Sequence, residues 1–307
     1  MLRSLCLVLC LSCLFAGESL AQFSATKLIK LDKELHQLIS AYPNQVGICF
    51  IDLESGRELQ INGRWKFPAA SIAKLPVMAT VYHLSEINAL DLDETIELQD
   101  EDKVGGSGLL RWIRTKRQYR LRDLARLMIV SSDNTASHML VKRVGLENIN
   151  AYMNNGLSLC SISITDPTML LEPTSEAANT ASPADTAYLL ARIQDGPTFS
   201  SEARAEMLGY LKQQRYRWGL RRGLPAGTMV ADKTGNHNKV MNNAGIIYSP
   251  AGDYILSVFT FGLEDKNAAQ DLIRDISQLV YKIFTGEDEP AKMPRENPET
   301  GLLPVPN

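Results

Sequence analysis

Phe67-Pro68-Ala69-Ala70-Ser71-Ile72-Ala73-Lys74-Leu75-Pro76-Val77-Met78 sets one serine and one lysine into an otherwise apolar run. The run continues to Ile87 with helical periodicity, which predicts a helix over 71–87 in which Pro76 removes one backbone donor. Residues three apart on a helix share a face, so the Lys74 amine can lie beside the Ser71 hydroxyl. A serine hydroxyl is a poor nucleophile until a neighbour takes its proton, and a buried lysine with a lowered pKa can do so. Alone the spacing says little, since roughly one Ser-x-x-Lys per chain arises by chance. A helix start with a solvated lysine would give the same letters. The apolar flanks weigh against that reading, because they would bury Lys74.

Two further polar clusters follow. Ser132-Asp133-Asn134 interrupts an otherwise helical stretch over 121–144. Its ordinary reading is an inter-helix turn. Its functional reading puts Ser132 across a cleft from Lys74, passing a proton to a leaving group, with Asn134 holding a substrate amide. Lys233-Thr234-Gly235 falls at the end of a predicted strand over 228–234. A lysine there is ordinarily a surface charge near a turn. Functionally, Gly235 would let substrate approach the strand backbone, while Lys233 and Thr234 bind a carboxylate through charge-assisted contacts. Each tripeptide has a chance expectation of roughly a few hundredths in such a chain. All three in order, on a helix start, a helix junction and a strand end, make a strong joint signal.

Around these motifs the periodicity predicts a helix over 25–41, a hairpin of 46–53 and 58–61, and a helix over 183–193. Strands over 244–248 and 254–261 and an amphipathic helix over 268–284 complete the pattern. Both ends of the chain thus feed one sheet, the middle makes a helical lobe, and a site would lie in the cleft between them.

The set Ser-x-x-Lys, Ser-Asp-Asn, Lys-Thr-Gly resembles the signature of class A β-lactamases and penicillin-binding proteins. Gly105-Gly106-Ser107-Gly108-Leu109, Leu124-Ala125-Arg126-Leu127-Met128-Ile129, Leu224-Pro225-Ala226-Gly227 and Gly245-Ile246-Ile247-Tyr248 extend the likeness over about residues 25–285. The resemblance implies an α+β (α/β) fold: a five-stranded antiparallel sheet flanked by the terminal helices, beside a helical lobe, with the active site in the cleft. It implies a serine hydrolase that forms an acyl-enzyme at Ser71 and hydrolyses the β-lactam amide. Ser71, Lys74, Ser132 and Glu172 would be catalytic, and Asn134, Lys233, Thr234, Gly235 and Asn236 would bind substrate. The backbone N–H groups of Ser71 and Asn236 would form the oxyanion hole.

The chain departs from the family pattern where the acyl-enzyme is hydrolysed. In Asp166-Pro167-Thr168-Met169-Leu170-Leu171-Glu172-Pro173-Thr174-Ser175-Glu176, Glu172-Pro173 resembles the family's glutamate-proline pair. The asparagine expected four residues later is Glu176, and the asparagine that supports the glutamate from the Ser-Asp-Asn helix is His138. Glu172 and Glu176 read equally well as solvated loop carboxylates. The arginine expected just before Gly245 is Ala244, and Lys239, a point charge on a flexible stem, is the nearest substitute. Alternatives therefore stay open: a D,D-peptidase or slow penicillin-binding hydrolase acting on peptidoglycan peptides, or a non-catalytic binding or sensing protein of this fold.

The 307 residues are 45% apolar and 22% charged, with a net charge of −3, which excludes a basic field for nucleic acid. Four scattered histidines supply no metal-ligand spacing, and no metal or cofactor is expected. Arg3, the apolar run over 5–17 and Ser19-Leu20-Ala21 read as a signal peptide cleaved near Ala21, so a periplasmic or secreted monomer without a membrane span is expected. Residues 22–285 form the hydrolase domain. Residues 286–307, with five prolines, read as a disordered tail. Cys49 and Cys160 can form one disulfide or remain two thiols.

Overall fold

A computed structural model describes residues 23–286. The predicted signal peptide and all of the predicted tail except Gly286 lie outside the described residues. Helix α1 (Ala25–Leu38) leads into a hairpin of β1 (Val46–Asp52) and β2 (Glu58–Ile61). Strand β3 (Phe67–Pro68) and a 3-10 turn (Ala70–Ala73) precede α2 (Lys74–Glu86). The helical lobe continues through β4 (Thr95–Glu97), β5 (Gln118–Arg120), α3 (Leu121–Val130), α4 (Asn134–Val144) and α5 (Leu146–Ala151). Next come β6 (Thr180–Ala181), α6 (Pro183–Gln194) and α7 (Ser201–Lys212). The chain then returns to the sheet with β7 (Met229–His237), β8 (Val240–Ser249) and β9 (Gly252–Phe261), and closes with α8 (Lys266–Thr285).

The five-stranded sheet has the order β2-β1-β9-β8-β7 and is antiparallel throughout. Alternation along β1 explains why both its faces are covered. Val46, Ile48 and Phe50 pack with Leu31 and Leu35 of α1 and Ile273, Ile276 and Val280 of α8. Cys49 and Ile51 face the opposite way, into the core shared with α2 and α6. Each such buried aliphatic or aromatic side chain contributes about 1.5–3 kcal/mol over exposure, which is what holds terminal helices to the central strands. Residues 74 to 82 of α2 are buried on every side, so this helix is the axis of the lobe rather than an amphipathic cover.

Two expectations change, and one left open is decided. The helix predicted from Ser71 begins with a 3-10 turn, so Ser71 stands one turn ahead of α2 proper. Lys233-Thr234-Gly235 lies within β7 rather than at its end, because pairing continues through Asn236↔Met241 to His237↔Val240. Cys49 and Cys160 are unpaired, the first buried and the second exposed, and burial pushes the Cys49 thiol pKa up. Among the described residues no helix is long and apolar enough to cross a membrane.

Candidate active site

Four segments deliver the polar groups to one point. The 3-10 turn carries Ser71, the first residue of α2 is Lys74, and β7 supplies Lys233. The junction between α3 and α4 contributes Ser132. Its Asp133 caps α4 by accepting from the Ala136 N–H, and its second carboxylate oxygen accepts from the N–H groups of Leu109 at 2.7 Å and Leu110 at 2.9 Å. Gly108 sits so close to Asp133 that an added Cβ would lie 2.2 Å from its carboxyl carbon, and its φ of +101° is one that side chains resist. The glycine-rich loop is thereby clamped onto the Ser-Asp-Asn turn.

Lys74 is the hub. Its Nζ lies 3.2 Å from Ser71 Oγ, 3.0 Å from Ser132 Oγ, 2.6 Å from the Ser132 carbonyl and 2.6 Å from Asn134 Oδ1. The carbonyl and the amide oxygen only accept, so they take two N–H groups. The remaining position on nitrogen then faces the two hydroxyls. When Lys74 is neutral, that position is a lone pair able to receive a proton. Burial, and then the positive charge of Lys233, push the Lys74 pKa well down; Asp133 opposes them.

Lys233 closes the group from the other side. Its Nζ donates to Ser132 Oγ at 3.1 Å and to the Thr234 carbonyl at 2.8 Å. Burial pushes its pKa down to about 7, while the neighbouring Asp232 works to raise it. The motif reading did not single out the support behind this lysine. Arg221 donates to Asp232 Oδ1 at 2.8 Å, and Asn243 donates to Asp232 Oδ2 at 2.9 Å and to the Lys233 carbonyl at 3.1 Å. All of these side chains are buried, so each donor must find an acceptor, and together they fix the path of β7.

A cavity of about 530 Å³ opens over Ser71, lined among others by Gly106, Asn134, Leu170, Asn236 and His237. A smaller recess joins Ser71, Ser132 and Thr234 to Tyr216 and Trp218. Asn134 turns its amide N–H to the Gly105 carbonyl at 2.9 Å and its oxygen to Lys74. Gly235 is buried in β7 beside the Ser71 turn, and Asn236 is exposed at the cavity.

Glu172 stands apart from this group. It is exposed and accepts a 3.4 Å hydrogen bond from Asn238 Nδ2; Glu176 is exposed as well. The wall facing Ser71 presents Met169 and Leu170 instead. The buried acid of this loop, Asp166, spends its oxygens on the loop itself. Burial raises its pKa, but the Thr168 hydroxyl and the N–H groups of Leu171, Thr168 and Leu170 together outweigh that and hold it below the usual range. His138 contacts the Asp102 backbone carbonyl at 3.1 Å, and Lys239 forms an exposed pair with Glu264. Lys239 also lines the cavity over Ser71. No group of three or more His, Cys, Asp or Glu among the described residues could hold a metal ion.

Comparison with known proteins gives the same answer at three levels. Residues 30–284 match the profile described as the beta-lactamase enzyme family. A beta-lactamase of Stenotrophomonas maltophilia is 25% identical over 241 residues, spanning 77% of this chain and 79% of its own. A mutant of PBP-A, solved as an acyl-enzyme complex with penicillin G, superposes with a TM-score of 0.77 at 30% identity, covering 85% of this chain and 98% of that one. A beta-lactamase from Sphaerobacter thermophilus superposes with a TM-score of 0.77 at 28% identity, covering 87% and 100%.

Proposed function

The chain belongs to the beta-lactamase enzyme family, and from that premise we propose that it is an exported serine acyl-transfer enzyme that β-lactams acylate at Ser71. The observation that carries the reading is the position of Lys74 Nζ, within 3.2 Å of both candidate hydroxyls. In the proposed reaction Ser71 Oγ bonds to the lactam carbonyl carbon while its proton passes to neutral Lys74. The N–H groups of Ser71 and Asn236 hold the oxyanion. The C–N bond then breaks, the departing nitrogen takes the Ser132 proton, and the Lys74 ammonium returns a proton to Ser132. Lys233 and Thr234 hold the substrate carboxylate, while Gly235, expected to leave room for substrate, instead lets β7 pack against the Ser71 turn.

Hydrolysis of the ester is the slow half of the reaction in this reading. General-base help is worth about 10² to 10⁴ in rate, and Glu172 lies at the loop surface, with Leu170 lining the cavity in its vicinity. That same observation favours a second reading, a D,D-peptidase on peptidoglycan peptides that β-lactams trap. The segment 1–21 supports a periplasmic or secreted location, and a cleft completed by one chain supports action as a monomer.

The test is the lifetime of the adduct. A chromogenic cephalosporin turned over many times, with activity lost in Ser71→Ala, supports β-lactam hydrolysis. One stoichiometric burst with a lasting mass increase supports the trapped peptidase. Wild type that neither turns over the cephalosporin nor gains the mass of a penicillin or a cephalosporin overturns both and leaves a non-catalytic binding protein.

A further inference from the structure

The structure assigns Asn242 as a positioning residue that sets the spacing of the oxyanion hole, an inference that rests on the proposed acylation of Ser71. Asn242 lies on β8 opposite Gly235 of β7 and is completely buried. Its Nδ2 donates to the Pro68 carbonyl at 2.9 Å and the Ala69 carbonyl at 3.2 Å, while its Oδ1 accepts from the Thr260 N–H on β9 at 3.2 Å. Because the Thr260 N–H can only donate, the orientation of the amide is fixed by its partners.

The two carbonyls it holds belong to the residues just ahead of Ala70, a non-glycine with φ of +46°. A residue in that region persists only where its surroundings over-determine it, and such strain concentrates at functional sites. Ser71 follows at once, so the direction of its N–H depends on how the 68–69 backbone is pinned. The second proposed N–H donor, Asn236, follows Gly235. At Gly235 an added Cβ would lie 3.0 Å from the Ala69 carbonyl oxygen and 3.1 Å from the Ile72 nitrogen. Strand and turn are therefore in contact, and Asn242 is the side chain that ties β8, β7's partner, to the turn. Backbone donors stabilise an oxyanion only when held at the distance its oxygen requires.

Two probes separate this inference from the reading it rests on. Benzylpenicillin reports acylation. Phenylboronic acid needs only the Ser71 hydroxyl and the hole to form its tetrahedral adduct. In N242A we expect the acylation rate constant and the boronic acid affinity to fall together, on the order of 10-fold or more, as misplacement of a reacting group does. The penicillin concentration at half-saturation should stay within about 3-fold, since initial binding does not use the hole. T260V removes the Thr260 hydroxyl bond to the Met241 carbonyl in the same strand pair. It should lower Tm yet leave both readouts at wild-type values per folded molecule. Should N242A not fold, N242S keeps a polar group in the pocket but is too short to span both carbonyls, and the same losses are expected. If whichever variant folds matches wild type in both readouts, the inference is overturned. It is equally overturned if T260V reproduces the N242A losses, since general loosening then explains them. A wild type that takes the boronic acid but no penicillin sinks the proposed acylation, and the boronic acid comparison still decides this inference. A wild type that takes neither overturns both.

Discussion

Lys74 and Lys233 converge on one oxygen: the Ser132 hydroxyl lies 3.0 Å from the first nitrogen and 3.1 Å from the second. Two buried amines cannot both carry charge cheaply at that separation, because burial and mutual repulsion act in the same direction. Both effects favour the neutral form of Lys74 beside the nucleophile. One consequence concerns the pH profile of acylation. The rate should rise as Lys74 loses its proton, at a pH below the usual lysine range. For substrates bearing a carboxylate it should fall again as Lys233 deprotonates near pH 7. A matched substrate lacking the carboxylate should lose the falling limb. As the two lysines are coupled, the limbs report the pair. Second-order acylation rates between pH 5 and pH 10, with both substrates, check this; the same falling limb for both contradicts it.

Stability carries the same signature with a definite sign. Lys233 titrates near 7 when folded, against 10.5 for an ordinary lysine, so between these values the unfolded chain binds a proton that the folded chain refuses. Its contribution therefore opposes folding below about pH 7 and fades as pH rises towards 10.5; Lys74 acts in the same direction. K233M should be stabilised relative to wild type most at low pH, and the difference should shrink through that window. Urea midpoints at several pH values measure it. A difference that grows with pH would show the sign to be wrong.

Glu172 can be tested against Leu170. E172Q should change the lifetime of a penicillin adduct by less than about 3-fold, because the exposed carboxylate serves the loop surface. L170E places a carboxylate on the cavity wall and should shorten that lifetime by about 10². Mass spectrometry after removal of excess penicillin reads both. A strong lengthening in E172Q would restore Glu172 as the deacylating base.

Asp133 should matter through structure. D133A strands the N–H groups of Leu109, Leu110 and Ala136 and uncaps α4. A lost cap costs about 1 kcal/mol, and each buried donor left unpaired about 1–3 kcal/mol. A loss of roughly 3 kcal/mol or more in urea unfolding is expected. A loss under about 1 kcal/mol would mean that the loop does not depend on this clamp.

What could be read from the sequence was local. Ser71, Lys74, Ser132 and Lys233 sit in short motifs whose joint, ordered occurrence implies chemistry, and the fold brings all four together. The sheet's helical covers were legible because Leu31, Leu35, Ile273 and Ile276 recur at helical spacing. The rest depended on remote partners. Strand β7 runs on to His237 because β8 pairs with it, although Asn236 and His237 do not look strand-like. The loop around Glu172 takes its course from Asn179, whose side chain receives the Thr165 and Asp166 N–H groups and donates to the Asp166 carbonyl. No spacing rule anticipates that. Asn242 and Asn243 belong to no motif, and only the packing of β8 against β7, β9 and the Ser71 turn discloses their work.

The account stands or falls on Ser71 being acylated with Lys74 as its base. Time-resolved intact-protein mass spectrometry with benzylpenicillin, on wild type, S71A and K74A, tests this most directly. Wild type should gain one penicillin mass, S71A none, and K74A the same mass about 10² or more slowly. An adduct that forms equally in S71A, or at the wild-type rate in K74A, would contradict it.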